Sequence, residues 1–436
     1  MAKHELDLPY RWWIGFLLTN LALIIFHAFG IPPTIYFPLI ITMISALLFW
    51  QREIFIQKFL KSKAARRNPM SFAWIILALF IIVVGWVKIK TQPTVGADTL
   101  VIWLNKTKSI YAGEPFRALT MAQYPNLGPM FWMFTMRFTG KYEPIYGLFL
   151  GPVAYGFWIL AHLSLFKQKN HWIIPIIFFP IAILFYNDAV YNGYQDKLLM
   201  ACAGMAVLTF TQFFLDNIDA NDQNMYKRNS NFFWLGAFFA GMLSFIKVEG
   251  MIMGLIIFSG VLFIVVFLFP KEKHREFLIA NYPAALIFTV LLLTWPLILH
   301  FGGVDLTKIQ GDTLSLQFSF DFFQNLDRLP IIVLRHINYI QGILPIFTMS
   351  VLLTLLALKD MPKIRIALSY IWLIWLLILV FITFIFMVTR SPLIWHLDTA
   401  FYRLSSQHDF IYPLTIILVV SNILHEYQKS LNTEPA

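Results

Sequence analysis

Residues 367–389 read ALSYIWLIWLLILVFITFIFMVT and contain no charged side chain over 23 consecutive positions. A helix needs about 20 apolar residues to cross the hydrocarbon core of a bilayer. The strands of a membrane β-barrel alternate between apolar and polar residues, whereas this run is continuously apolar. The run therefore predicts a transmembrane helix.

The composition extends this prediction to the rest of the chain. Of 436 residues, 59% are hydrophobic and 13% are charged. A soluble domain carries roughly twice that charged fraction. Twelve membrane spans would use about 240 residues, which is close to the apolar share of the chain. The composition thus argues against a soluble enzyme, a fibre, a disordered chain and a β-barrel.

Eleven further apolar runs follow the same pattern, so the sequence predicts an all-α, polytopic integral membrane protein with about 12 transmembrane helices. The predicted spans are 12–29, 34–50, 71–90, 145–166, 172–187, 198–215, 232–246, 250–269, 279–301, 341–358, 367–389 and 409–425. We expect residues 1–436 to form a single transmembrane domain with no soluble C-terminal domain.

Loop 51–70 sets the orientation in the membrane. It contains six cations, namely Arg52, Lys58, Lys61, Lys63, Arg66 and Arg67. Short loops rich in lysine and arginine lie on the cytoplasmic side. With twelve spans both termini are then cytoplasmic. The large loops 88–142 and 302–340 and the short loops 188–197 and 390–408 face the extracytoplasmic side.

The net charge and the motif searches narrow the function further. The formal net charge is +10, and the basic residues lie in loops between apolar runs. This placement favours membrane lipids or a phosphate-bearing ligand as partners. No nucleic acid is expected as a partner. The single cysteine, Cys202, excludes an intrachain disulfide. The sequence contains no Walker loop and no dinucleotide-binding fingerprint.

The first polar segment on the outer side is Gly96-Ala97-Asp98, which precedes an amphipathic stretch from Leu100 to Tyr111. In that stretch Trp103 and Lys106 fall at helical spacing. A carboxylate at the membrane surface beside lysines is suited to act as a general base. The alternative is that Asp98 caps the helix that follows it.

Two further outer segments combine turn residues with polar side chains. Residues 124–129 read YPNLGP and predict a rigid turn, which either ends the loop or forms a preformed wall for a small polar ligand. Residues 191–197 read YNGYQDK. They form either an ordinary hairpin turn or a group of tyrosine, amide and acid side chains that binds a sugar.

The last two segments bring charges to the membrane boundary. Residues 247–250 read KVEG and interrupt an apolar stretch, where charges are costly unless they are paired or functional. A structural pair of Lys247 with Glu249 is the alternative, although positions i and i+2 of one helix do not face each other. Arg403 either binds phosphate in two places or extends its charge to the interface.

Under the orientation set by loop 51–70, all five segments face one compartment, and together they resemble bacterial GT-C-fold membrane glycosyltransferases. The resemblance is carried by Asp98 with Trp103 and Lys106, Tyr-Pro-x-Leu-x-Pro at 124–129, Tyr-x-Gly-Tyr-x-Asp at 191–196, Lys-x-Glu-Gly at 247–250, and Trp-His-Leu with Arg403 before the last span. It covers residues 70–415 approximately, and its motifs are typical of a superfamily rather than of one substrate.

The resemblance implies a GT-C-like fold with amphipathic helices in the first outer loop. It also implies a transferase at the outer face of the bacterial plasma membrane that uses a sugar on a polyprenyl phosphate. Nucleotide sugars do not cross lipid, so an outward-facing transferase needs a donor that has already been flipped across. The expected acceptor is a lipid-linked glycan, an envelope glycan or a protein.

We expect an inverting displacement in which Asp98 is the general base. Lys106, Lys247 and Arg403 are the expected cations that stabilise the leaving lipid phosphate. Contacts with the sugar or the acceptor are expected from Trp103, Tyr124, Tyr191, Asp196, Glu249 and His408. Acids of this kind hold a divalent cation in some relatives, although no ligand spacing in this sequence demands one.

Three other function classes stay open at the level of sequence. An envelope-polysaccharide polymerase or ligase also has many spans and large outer loops, and it uses an oligosaccharide on a diphosphate. A lipid or glycan transporter requires a polar path through the membrane, and the predicted spans contain few ionisable residues near their centres. A non-catalytic scaffold would tolerate the loss of Asp98.

Overall fold

A computed structural model describes residues 8–45, 69–91, 95–96, 98–119, 121–165, 178–182, 185, 190, 192–193, 195–218, 230–269, 271–304, 323–389 and 392–433. All regular elements in these ranges are helices. The prediction of an all-α protein is therefore confirmed. The chain divides into two compact units, Met1–Gln195 with Trp295–Val304, and Asp196–Thr294 with Asp305–Ala436.

The first unit contains the helices that precede Asp196. They are α1 (Leu8–Ala28), α2 (Pro33–Ser45), α3 (Pro69–Thr91), a π-helical turn (Thr99–Leu104), α4 (Asn105–Ala112), α5 (Leu127–Thr139), α6 (Pro144–Leu148) and α7 (Leu150–Ala161). Trp13, Trp74 and Trp158 are fully buried in this unit. Helices α3 and α7 pack along each other, and α1 packs against α5 and α7.

The second unit contains most of the remaining helices. They are α8 (Asp196–Ile218), α9 (Ser230–Met242), α10 (Val248–Leu268), α11 (Lys271–Phe301), α12 (Leu329–Gly342), α13 (Leu344–Asp360), α14 (Pro362–Val388), α15 (Leu393–Ser405) and α16 (Ile411–Thr433). The end of α11, residues 295–301, belongs to the first unit. The first residues of α8 belong to the predicted sugar-binding segment, so the fold places that segment at a helix N-terminus.

Helix α8 is the core of the second unit. It packs against α9, α10 and α14, and the stretch that qualifies it as a membrane span is wholly buried. A helix that is apolar on every side has to be surrounded by other helices. Small residues such as Ala201, Cys202 and Ala203, each fully buried, allow those neighbours to approach closely.

The polytopic prediction is confirmed, and the protein is a multi-pass membrane protein by the length and composition of its helices. Among the described residues seven helices are long and apolar enough to cross a membrane, or eight if one bent pair counts as a single span. Three shorter apolar helices, Pro33–Ser45, Leu150–Ala161 and Asn231–Phe245, coincide with further predicted spans. The predicted span 172–187 lies mostly outside the described residues, as does loop 51–70.

The bent pair changes the prediction for one span. Residues 341–358 were expected to be a span that follows a large outer loop, but α12 already occupies Leu329–Gly342 and meets α13 at an angle of 88°. Pro345 lies in the first turn of α13. Because proline lacks a backbone N–H and clashes with the preceding turn, α12 cannot continue straight into α13.

Candidate functional site

In the second unit, four of the predicted site residues meet in one ion cluster. Lys247 Nζ lies 2.8 Å from Asp196 Oδ1 and 3.4 Å from Glu249 Oε1. Arg403 Nε lies 3.4 Å from Asp196 Oδ2. The side chain of Asp196 is 1% exposed and those of Arg403 and Glu249 are 21% and 14% exposed. Asp196 is thus the buried centre of the cluster, and Arg403 lies at its accessible margin.

Helix ends place these charges. Asp196 is the first residue of α8, and a carboxylate at a helix N-terminus is stabilised by the helix dipole. Glu249 lies in the first turn of α10, and Arg403 lies in the last turn of α15, where a cation is favoured. All three therefore occupy positions where the backbone stabilises their charge.

Lys247 corrects one argument made from the sequence. The pairing of Lys247 with Glu249 was expected to be weak because residues i and i+2 of one helix point apart. Lys247 is instead the residue before α10, with an extended backbone at φ −154° and ψ 156°. Since it is not helical, its side chain reaches both Glu249 and Asp196.

The charge state of Lys247 follows from its neighbours. Burial by itself would lower the pKa of Lys247, but the negative charges of Asp196 and Glu249 and the hydrogen bond to Asp196 outweigh it. The net result is a pKa above the usual value for lysine. Lys247 is therefore a cation at neutral pH.

This region also contains three residues that were not among the predicted site residues, namely Tyr339, Gln407 and Asp409. Gln407 Nε2 donates to Asp196 Oδ1 at 2.6 Å. Asp409 lies 3.4 Å from Lys197 Nζ and accepts a hydrogen bond from Tyr339 Oη at 2.5 Å. Asp409 is the first residue of the predicted span 409–425. An acidic residue at the start of an apolar run is the sequence feature by which Asp409 could have been identified.

His408 lies between Gln407 and Asp409 in the sequence and is 1% exposed. Its ring contacts the rings of Tyr339, Trp375 and Tyr412, with centroid distances of 5.9, 6.4 and 6.1 Å. Neither ring nitrogen has a hydrogen-bond partner in the part of the chain that the structure describes. The predicted contact of His408 with a sugar stays a prediction.

In the first unit, Asp98 directly precedes the π-helical turn Thr99–Leu104 and is half-buried. Its backbone is already helical, at φ −61° and ψ −31°, and its side chain makes no hydrogen bond that caps this turn. The backbone N–H of Gly96 donates to the carbonyl of Asn192 at 3.0 Å. The segment before Asp98 is thereby joined to the predicted sugar-binding segment.

Lys106 is fully buried, and its Nζ donates to the carbonyls of Met121 and Tyr124 at 2.8 Å each. Met121 has a positive φ of 47°, so the lysine holds a turn that contains an unfavourable backbone conformation. Burial lowers the pKa of Lys106 well below the usual value for lysine. Lys106 was expected to bind the donor phosphate; that contact stays a prediction, and this geometry supplies a structural role instead.

The predicted aromatic residues flank this lysine. Trp103 is 2% exposed, and its ring lies 5.7 Å from Lys106 Nζ and edge-to-face with Tyr124 at 6.1 Å. Tyr124 is half-buried. Tyr191 lies outside the described residues. The structure therefore groups Trp103, Lys106 and Tyr124 in the first unit, and it groups Asp196, Lys247, Glu249 and Arg403 in the second.

Within the described residues, no group of three or more histidine, cysteine, aspartate or glutamate side chains is arranged to hold a metal ion. The divalent cation thus stays a prediction. No family model matches this sequence, and no curated protein or solved structure matches it either. The function is therefore inferred from the residues, their geometry and the resemblance of the sequence motifs.

Proposed function

We propose that this protein is an integral-membrane GT-C-type glycosyltransferase of the plasma membrane. It transfers a sugar from a polyprenyl-phosphate donor to a hydroxyl of a glycan, lipid or protein acceptor on the extracytoplasmic face. The observation that supports this proposal most directly is the ion cluster in which Lys247 and Arg403 both contact the buried carboxylate of Asp196.

The ion cluster fits a lipid phosphate for two reasons. Charged side chains within a membrane protein are costly, and they commonly mark functional sites. Arg403 is the more exposed cation of the two, and its planar guanidinium bonds phosphate oxygens in two places. Lys247, held as a cation beside Asp196, adds a second positive charge close to that phosphate.

Asp196 acts as a positioning residue in this proposal. Asp196 Oδ1 accepts from both Lys247 Nζ and Gln407 Nε2, and Oδ2 lies 3.4 Å from Arg403 Nε, so both oxygens face protein groups. The sequence predicts a contact of Asp196 with the sugar. We instead assign it to fixing the two cations, and we keep Glu249 and His408 as the residues of this unit that contact the sugar.

The chemical step is a direct displacement at the anomeric carbon of the donor sugar. The acceptor oxygen forms the new bond to that carbon while Asp98 takes the hydroxyl proton. The bond from the carbon to the phosphate oxygen breaks, and its electron pair stays on the phosphate. Arg403 and Lys247 stabilise the negative charge that develops there, and the configuration of the sugar is inverted.

The test compares envelope glycans by mass spectrometry in a deletion strain that carries wild type or Asp98→Asn at equal membrane expression. We expect one sugar to be absent with Asp98→Asn. Glu114→Gln is the matched control, because Glu114 is an exposed acid in the same outer loop. Its glycans should equal those of wild type.

Identical glycans with wild type and Asp98→Asn would overturn the assignment of Asp98 as base. A missing oligosaccharide repeat, rather than a missing single sugar, would replace the proposal by a polymerase or ligase. Accumulation of the lipid-linked donor on the cytoplasmic side, with no change in transfer by isolated membranes, would replace it by a transporter.

A further inference from the structure

Three buried residues of the first unit, in segments that pack together, carry polar atoms without a partner among the described residues. We call Thr99, Asn126 and Gln195 the amide cluster. The three residues are 0%, 0% and 3% exposed. Thr99 Oγ1, both side-chain amide atoms of Asn126 and Gln195 Oε1 have no hydrogen-bond partner among the described residues.

Two glycines bring these side chains together. A Cβ atom on Gly128 would lie 2.1 Å from Gln195 Oε1, and Asn126 is two residues before Gly128. A Cβ atom on Gly193 would lie 2.5 Å from Thr99 Cγ2. Gln195 Nε2 donates to the Gly193 carbonyl at 3.2 Å. Only glycine permits such close approach, so the segments that contain Thr99, Asn126 and Gly193 pack together here.

The chemistry of the unpaired atoms selects the ligand class. Buried polar groups in proteins nearly always have hydrogen-bond partners, so four atoms that are unpaired among the described residues indicate a missing partner. The amide cluster has no charged member, which disfavours an ion. It offers both donors and acceptors, and a hydroxyl group is the neutral group that matches both.

An aromatic ring completes the surroundings. Trp132 is 1% exposed, and its Cη2 atom would lie 2.8 Å from a Cβ on Gly193. The apolar ring thus lies beside the same glycine that Thr99 and Gln195 contact. Polar side chains beside an aromatic ring suit a carbohydrate, which presents both hydroxyl groups and C–H groups.

We propose that the amide cluster is a subsite for hydroxyl groups of the acceptor carbohydrate. Asp98, the proposed base, directly precedes Thr99 in the chain. This inference rests on the proposed function only in that it names the carbohydrate as the acceptor of the transfer. Binding of a neutral carbohydrate by the amide cluster is a separate claim and is tested separately.

The test uses full-length protein in nanodiscs and a panel of methyl glycosides of common hexoses and pentoses. Saturation-transfer difference NMR measures which glycoside binds and how tightly. We expect Asn126→Leu to lower the affinity for the glycoside by about tenfold or more, because one polar side chain with two hydrogen bonds is lost. Asn105→Leu is the matched control, since Asn105 is an exposed amide in the same unit whose Nδ2 is bonded to Val101 O.

Thr99→Val is the second variant, in case Asn126→Leu does not fold, and it should also weaken binding. Both variants should leave the thermal stability of the empty protein equal or higher, because they remove unpaired polar atoms. Glycoside affinity that is unchanged in both variants would overturn the inference, and so would a panel in which no glycoside binds wild type. Either result would indicate that the amide cluster holds water only.

The two proposals fail in different ways. If Asp98→Asn leaves envelope glycans unchanged while glycoside binding still depends on Asn126, the proposed transferase is wrong and the subsite stands. If Asp98→Asn removes a sugar while Asn126→Leu binds glycosides like wild type, the subsite is wrong and the transferase stands.

Discussion

The ion cluster of the second unit and the amide cluster of the first unit solve the burial of polar groups in opposite ways. In the ion cluster Asp196 contacts Lys247, Arg403 and Gln407, so opposite charges satisfy one another. In the amide cluster the polar atoms of Asn126 have no partner among the described residues. The charges of the first arrangement are paired within the protein, whereas polar atoms of the second lack a partner among the described residues.

This difference predicts opposite responses to mutation. Removing one charge from a satisfied pair leaves its partner buried and unpaired, which is strongly destabilising. Replacing an unsatisfied amide by an apolar group of similar size removes a penalty and costs little. Stability measurements on the full-length protein in detergent therefore separate the two clusters.

The largest expected effect breaks the ion cluster. Asp196→Asn keeps the shape of the side chain but leaves Lys247 and Arg403 without their shared counter-charge. We expect the free energy of unfolding to fall by about 3–5 kcal/mol, as for other buried ion pairs that lose one partner. Thermal denaturation followed by size-exclusion chromatography measures the loss.

Asp398→Asn is the control for this change. Asp398 pairs with Arg335, but its side chain is 53% exposed. Exposed ion pairs contribute less than about 1 kcal/mol. Equal destabilisation by the two variants would contradict the view that Asp196 is the centre of a buried cluster.

The second largest effect is expected from a substitution that fills the space beside the amide cluster. Gly193 has a φ of +85°, and a Cβ atom there would collide with Thr99 and Leu148. We expect Gly193→Ala to lower the free energy of unfolding by about 1–3 kcal/mol through backbone strain and overpacking. Gly15→Ala in α1 is the control, because nothing lies within 4 Å of its Cβ position. It should stabilise the protein by about 0.5–1 kcal/mol, and a stabilising Gly193→Ala would contradict the packing described here.

The sequence predicted the helical class and the polar segments better than it predicted their contacts. Continuous apolar runs gave helices such as α14, because a bilayer allows few alternatives to a helix. The contact of Lys247 with Asp196 joins residues 51 positions apart. No local pattern encodes such a contact, since it depends on how α8 and α10 pack.

Lys106 and Asp409 show the two ways in which sequence reasoning about single charges is limited. Lys106 was judged by its charge and its place beside tryptophan, yet two backbone carbonyls at distant positions bind its Nζ. Asp409 was not among the predicted site residues, yet it pairs with Lys197 and Tyr339. In both cases the partner, and not the residue itself, decides the role.

The third effect concerns Lys106, a titratable group whose partners are neutral carbonyls. Lys106→Met leaves the carbonyls of Met121 and Tyr124 without their donor, so we expect a loss of about 1–3 kcal/mol in the free energy of unfolding. Burial lowers the folded-state pKa of Lys106 below that of the unfolded chain. Between those two pKa values the unfolded state binds the extra proton, so stability rises with pH in that window.

Chemical denaturation at several pH values up to about 10 measures this slope, since the unfolded pKa of lysine is about 10.4. Lys106→Met should remove the part of the slope that Lys106 causes. Lys108→Met is the control, because Lys108 is exposed on the same helix. A wild-type slope in Lys106→Met would contradict the assignment of a lowered pKa to this residue.

The smallest effect on stability is expected at His408. This residue belongs to the second unit, as the ion cluster does, but it resembles the amide cluster in having buried polar atoms that lack a partner among the described residues. Both ring nitrogens of His408 are buried without a partner among the described residues, and its neighbours include Trp375 and Tyr412. His408→Phe should therefore change the free energy of unfolding by no more than about 0.5 kcal/mol, because no hydrogen bond is lost. If His408 contacts the sugar, the same variant removes that contact and lowers transfer in the glycan assay. Loss of transfer at unchanged stability supports that role, whereas unchanged glycans would leave His408 as a packing residue of the aromatic group and remove it from the site.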